Sequence, residues 1–309
     1  MGFAALYPSY MLTPAMTCQE AGSIVLQRAQ ARRWFERLRD DICSAIEKLE
    51  EDASASLFPG DPARFVRKPW QRATGEGGGT GGFLINGRLF EKAAVHTSCA
   101  DGVLTPEMAR TLPGDGKQLG YLSASISLII HPRSPRVPTV HMNTRYLATS
   151  QGWLGGGADL TPMLPDQRSQ AAEDAVEFHS AMREACDAHD TDYYPRFKAW
   201  ADEYFFLPHR GQTRGVGGIF FDHLNSGDFA ADFAFARDVG KALRDVYPVI
   251  VRRRMNEPWN EENRRQQLAY RGLYAEFNLL YDRGTTFGLR TGGNVETILS
   301  SMPPAVSWL

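Results

Sequence analysis

The chain has 309 residues, 34 basic and 36 acidic, with a formal net charge of -2 at pH 7. That length can bury a sizeable core, and so even a charge balance argues against nucleic acid as the partner. The four cysteines, Cys18, Cys43, Cys99 and Cys186, lie far apart with no CxxC spacing, so neither a zinc knuckle nor an iron-sulfur cluster is written in them.

The first 27 residues hold no Lys or Arg, which leaves secretory and mitochondrial addresses unsupported, and no apolar run has the length of a membrane span. A cytoplasmic protein with reduced thiols is expected. Among the basic residues, 28 are Arg and 6 are Lys. Arginine's planar fork suits carboxylates, so a polyanionic small molecule would use it, although codon bias gives the same ratio. No linker, repeat or long charge run divides the chain, and a single domain over residues 1–309 is expected.

In chain order, residues 1–19 read as a loose segment and Gln19 to Asp52 as one amphipathic helix, with Phe35, Leu38, Ile42, Ile46 and Leu49 at helical spacing. The run Gly75 to Gly82 lacks the GK[ST] of a P-loop and reads as a mobile loop able to cover a site. Phe83 to Ile85 and Leu89 to Val95 then form a hairpin. Leu122 to His131 and Val140 to Leu147 alternate cleanly, and the three prolines between Pro132 and Pro138 end both strands. Ser123, Ser125, Ser127 and His131 share one face of the first strand, and His141, Asn143 and Arg145 share one face of the second. An even register that sets His131 opposite His141 and Ser127 opposite Arg145 would make a polar platform; a plain solvent-facing strand face would show the same pattern.

Gly155, Gly156 and Gly157 bare the backbone of the next strand, which carries Asp159 on the parity of Gly155 and Gly157. Asp166 or Ser169 caps a helix to about Ala188, with His179 beside its apolar stripe, a place where a core histidine is commoner than a ligand. Pro195 opens a further helix that ends before Pro208, an aromatic strand carries Asp222, and Phe229 to Arg254 is a long helix followed by a second through Gln267. Leu273 to Gly284 alternates and reads as a strand that TTFGLRTGG continues, and Asn294 caps a short final helix. Strands joined by hairpins and then by helix pairs predict an α+β arrangement, and no GxGxxG opens a dinucleotide fold.

The segments VHMNTRYL, GWLGGGADLTP, KAWADEYFFLPHRGQTRGVGGIFFDHLN and YAEFNLLYDRGTTFGLRTGGNVETILSSMPP together resemble the oxygen-dependent coproporphyrinogen-III oxidases of haem biosynthesis, from about Phe65 to Trp308. The resemblance implies a flat seven-stranded antiparallel β-sheet sandwiched between α-helices, a homodimer, and oxidative decarboxylation of two propionates to vinyl groups by dioxygen with no required cofactor. It places substrate contacts on Ser127, Asn143, Arg145 and the segment Gly292, Gly293, Asn294, a proton donor on His141, and a binding and decarboxylation role on Asp282. It also matches His131, His141, His179 and His209 to four histidines for which a divalent metal has been proposed.

Two departures stand out. Asn294 occupies the position where the family usually has Arg, while Arg290 lies four residues earlier, so a propionate contact is expected to have moved. The segment His96 to Gly102 also differs from the family pattern, and the chain stops soon after SMPP, which bears on the dimer.

From the residues themselves, Arg145, Arg214 and Arg290 could pair with carboxylates, and Asp282 could meet a pyrrole N–H or be an ordinary turn aspartate. Two other classes stay open: a non-haem iron oxygenase with His131, His141 and Asp159 as its facial triad, or a non-catalytic tetrapyrrole carrier.

Overall fold

The computed structural model describes residues 18–72, 76–114 and 116–308. Seven strands form one open antiparallel sheet in the order β1 (Val66–Gln71), β2 (Gly77–Ile85), β3 (Phe90–Val103), β4 (Gly120–Pro132), β5 (Thr139–Ala148), β6 (Gly152–Thr161) and β9 (Gly217–Leu224). The short strands β7 (Phe206–Leu207) and β8 (Gln212–Thr213) pair with each other in a separate two-stranded sheet. The expected α+β class and the seven antiparallel strands are what is observed.

Alternation along the strands sends one set of side chains to each face. Ala124, Ile126, Leu128, Ile130, Val140, Met142 and Tyr146 are buried on the core face, beneath α1 (Cys18–Asp52), α3 (Glu173–Asp187) and α5 (Phe229–Arg254). Helix α4 (Tyr193–Tyr204) lies along β9 and covers that edge of the sheet, while α2 (Pro106–Arg110) follows β3. On the other face sit α6 (Glu261–Leu280), α7 (Arg283–Arg290) and α8 (Val295–Ile298), with Tyr274 of α6 packed on Ala94 and Ile129.

Five expectations change. The glycine run is not a loop: Gly77 to Gly82 belongs to β2, because two flanking strands supply its ladder; Gly75 lies outside the described residues. Residues 1–17 of the expected loose segment also lie outside them, and Cys18 and Gln19 already belong to α1. The β4/β5 register keeps the expected parity but slips by two residues, pairing His141 with Ile129, Asn143 with Ser127 and Arg145 with Ser125. A side-chain period of two is blind to such a slip; the turn between the strands decides it.

Leu273 to Leu280 is helix, not strand. The capping box of Asn260 and Asn263 starts α6, and the buried residues Gln267, Tyr270, Arg271, Tyr274, Phe277 and Asn278 recur at three- and four-residue intervals. Helix α3 likewise begins after Ala172 rather than at Asp166 or Ser169, while its stripe of Ala175, Phe178, Met182 and Cys186 is buried as expected.

One buried carboxylate ties α1 to the sheet. Glu50 accepts the backbone N–H groups of Leu89 and Phe90 at 2.9 Å each, Arg88 at 2.6 Å and Ala63 at 3.2 Å. Truncation would orphan these donors, so Glu50→Ala should destabilise the fold by about 3 kcal/mol or more, read as a lower thermal midpoint.

Candidate active site

Between the polar sheet face and the α6–α8 layer lies a cleft of about 660 Å³. Its floor is set by cross-strand rows, since residues opposite one another in a ladder share a face. One row runs His96, Ser127, Asn143, Gly157, Phe220, and the next runs Ser98, Ser125, Arg145, Gly155. The opposing wall contributes Asp282, Arg283, Arg290, Gly293 and Asn294. Arg145 and Asp282 therefore face the same cavity.

Arg145 is held on two sides. Its Nη1 donates to Asn143 Oδ1 at 3.0 Å, and its Nη2 pairs with Asp222 Oδ2 at 2.8 Å. Asn143 in turn donates to the Ile126 carbonyl at 3.1 Å. Gly155 makes the Arg145–Asp222 pair possible: a Cβ there would lie 2.5 Å from Asp222 Oδ1 and 3.0 Å from Arg145 Cζ. An irregularity in the β6/β9 ladder between Leu154 and Gly156 accompanies this approach, and His223 just beyond it has φ 54.

His141 sits over a buried ion pair. Its Nδ1 donates to Asp159 Oδ1 at 2.7 Å, and Arg214 Nη2 reaches both Asp159 oxygens at 2.9 and 2.8 Å. Burial works to raise the Asp159 pKa, but Arg214 and His141 outweigh it and hold the carboxyl below its usual value. An ionised Asp159 fixes the proton of His141 on Nδ1. Nε2 then has no protein partner among the described residues, and His141 lines the cleft.

Asp282 is the N-cap of α7. Its Oδ2 accepts the backbone N–H and the hydroxyl of Thr285, both at 2.7 Å, and its Oδ1 accepts the Tyr204 hydroxyl at 2.8 Å. Burial pushes its pKa up, yet the Thr285 and Tyr204 hydrogen bonds together with the nearby His141 pull it below the usual aspartate value. Tyr204, raised by burial and by Asp282, stays protonated and is stacked on Phe220 at 4.2 Å between ring centres. The cap role and the cleft position coexist in one side chain.

The remaining expected residues divide. Ser127, Asn143, Gly293, Asn294 and Arg290 line the cleft. Gly292 is not on its lining; it has φ 71 and turns the chain at the end of α7, where Gly293 N–H bonds the Gly288 carbonyl at 2.8 Å. Asn294 caps α8 by accepting the Thr297 N–H at 3.0 Å. Arg290 has no hydrogen-bond or ion-pair partner among the described residues. Arg214 is not a substrate arginine: it is 2% exposed, paired with Asp159, and enclosed by the rings of Tyr274, Phe205 and Phe277 at 4.3 to 4.6 Å.

The four histidines are not brought together. His131 is fully buried, with Nε2 3.0 Å from the Ser301 carbonyl and its ring against Tyr274. His179 is a core residue bonded to the Val216 carbonyl and the Tyr194 hydroxyl, both at 3.1 Å. His209 bonds Glu276 and Tyr281, both at 2.8 Å. Among the described residues no group of three or more His, Cys, Asp or Glu could hold a metal ion, so this donor set does not fit the centre the resemblance implies. The alternative triad of His131, His141 and Asp159 fails likewise, because the Asp159 oxygens are already engaged by Arg214 and His141.

Sequence reasoning missed Asp222, Tyr204 and the Gly155 clearance. Each acts through a partner on another strand or helix, and placing Asp222 on an aromatic strand gave no sign of its role. His96 was marked as a departure and proves to be a buried wall residue, 2.6 Å from the Ser300 hydroxyl.

Two outcomes are expected. Gly155→Ala should separate Arg145 from Asp222 and lower kcat/KM by at least about tenfold, measured by steady-state turnover. Burial, aided by Lys92, lowers the His96 pKa to about 4, against about 6.5 in an unfolded chain. The unfolded state therefore binds the extra proton between these values, so this stability contribution is complete above pH 6.5 and is lost as pH falls toward 4. Its size is on the order of 3 kcal/mol, and denaturant titrations of His96→Gln should show a flatter pH dependence through that window.

A family model described as coproporphyrinogen III oxidase matches residues 30–309. The chain is 51% identical over 278 residues to the oxygen-dependent coproporphyrinogen-III oxidase of Rickettsia peacockii (strain Rustic), spanning 89% of this chain and 96% of that protein. It is 49% identical over 280 residues to the protein of the same name from Rickettsia bellii (strain RML369-C), again with 89% and 96% covered. The chain belongs to the coproporphyrinogen III oxidase family.

Proposed function

We propose that the chain is an oxygen-dependent coproporphyrinogen-III oxidase, converting two propionates of coproporphyrinogen III to vinyl groups to give protoporphyrinogen IX. The observation that carries the reading is the cleft of about 660 Å³ with Arg145 and Asn143 on one wall and Asp282 and Arg290 on the other. Such a site suits a large apolar ring edged with carboxylates.

Each conversion turns a propionate side chain, one dioxygen and one proton into a vinyl group, carbon dioxide and hydrogen peroxide. The substrate's carbon chain is oxidised by two electrons, dioxygen is reduced by two, and the electron pair of the broken bond to the carboxylate closes the new double bond. Arg145 binds the carboxylate that leaves and holds it until the bond breaks. Asp282, ionised by its hydrogen bonds, faces the pyrrole N–H and stabilises the positive charge that grows on the ring as electrons leave it. His141, its Nδ1 proton fixed on Asp159, takes the proton that the substrate's carbon chain releases onto Nε2 and passes it on to the reduced oxygen. Arg290 takes over a propionate contact, which its lack of a protein partner favours, while Asn294 keeps its cap.

The family resemblance supports a homodimer, a cytoplasmic setting and a single domain over the chain. No described helix is long and apolar enough to cross a membrane. The poor fit of the histidines to a metal supports turnover without one.

Incubation with coproporphyrinogen III in air should give vinyl porphyrin fluorescence and peroxide, and the same mixture without oxygen should give neither. Substrate binding with no peroxide would favour a carrier instead. Asp282→Ala should abolish turnover while weakening binding far less; wild-type turnover by that variant would remove Asp282 from the reaction. Activity that survives exhaustive chelation is the expected result, and its loss, restored by added divalent metal, would overturn the metal-free reading.

A further inference from the structure

We propose that Ser125, with Ser98 beside it, completes the carboxylate site around Arg145 by donating hydroxyl hydrogen bonds to the propionate held there. This deepens the coproporphyrinogen reading and rests on it.

The observed register, not the expected one, makes the case. Ser125 stands directly opposite Arg145, and Ser98 directly opposite Ser125, so two hydroxyls and a guanidinium form one row across β3, β4 and β5. Directly opposed side chains have their Cβ atoms about 5 Å apart, within reach of the two oxygens of one carboxylate. All three residues line the cleft.

The two flanks of Arg145 differ. On the β6 side the missing Cβ of Gly155 leaves room that Asp222 fills, with its Oδ2 2.8 Å from Nη2. A second carboxylate entering there would meet a like charge. On the β4 side the hydroxyls of Ser125 and Ser98 have no hydrogen-bond partner among the described residues, whereas Ser123 next in line is tied to the Ala100 carbonyl at 3.2 Å. Neutral donors with open valences add hydrogen bonds without repulsion, so the incoming carboxylate takes the serine flank of the guanidinium while Asp222 keeps the other.

The test compares steady-state kinetics on coproporphyrinogen III in air for wild type, Ser125→Ala, Ser125→Thr and Ser98→Ala, with thermal midpoints recorded alongside. Ser125→Ala should raise KM by about tenfold with a smaller effect on kcat and an unchanged midpoint, because the lost hydroxyl serves a charged ligand and no protein group. Ser125→Thr, which restores a hydroxyl, should bring KM back to within about threefold of wild type, and Ser98→Ala should raise KM in the same direction. A KM for Ser125→Ala within about twofold of wild type, or a rise that Thr does not reverse, would overturn the assignment and leave the functional reading standing. A wild-type protein that fails to turn over the substrate would instead remove the functional reading, and this inference with it.

Discussion

Arg214 and Asp159 are the interaction on which the site depends. Both are buried, at 2% and 0% exposure, and each would carry a heavy desolvation cost alone. Together they form a bidentate pair whose spare capacity is turned outward, with Asp159 holding His141 and Arg214 Nη1 donating to Asn278 of α6 at 2.9 Å. The pair thus joins the sheet to the helix that roofs the cleft. Losing one partner of such a pair costs about 3–5 kcal/mol, so it constrains the fold and the imidazole at once.

Glycine plays the complementary part. Strand β6 carries glycines where its neighbours carry long side chains: Gly155 clears space for Arg145 and Asp222, and Gly157 lies between Asn143 and Phe220. Substituting bulk for either would crowd the row. The weakening that glycine brings to a strand interior is offset here by ladders on both sides. The outcome is a polar floor whose charged groups are positioned by one another rather than by solvent.

The helical wall supplies what the floor lacks. Asp282 owes its charge to its place at the start of α7, where Thr285 and Tyr204 satisfy it. A carboxylate held ionised by helix-cap donors and the nearby His141 keeps its charge while facing the cleft. Arg290 at the far end of the same helix points to a different economy: α7 presents an anion at one end and a cation at the other, across the cleft from Arg145. That arrangement suits a ring whose centre carries N–H donors and whose edge carries acids.

Much of this was legible beforehand. The parity of Ser127, His141, Asn143 and Arg145 put them on one face because a strand alternates with period two, and the motif segments carried the family resemblance. Two things could not be read from the chain alone. The register, which gave Arg145 to Ser125 rather than Ser127, is set by the turn between the strands and leaves the alternation unchanged. The helical state of Leu273 to Leu280 was hidden because a short run of mixed apolar and polar residues satisfies both periods, until tertiary burial on Ala94 and Ile129 selects one. The sequence by itself determined the face, the residue types and the family; only the folded structure decided which charges meet, since the partners Asp159 with Arg214, Arg145 with Asp222 and Asp282 with Tyr204 are 55, 77 and 78 residues apart and no local pattern couples them.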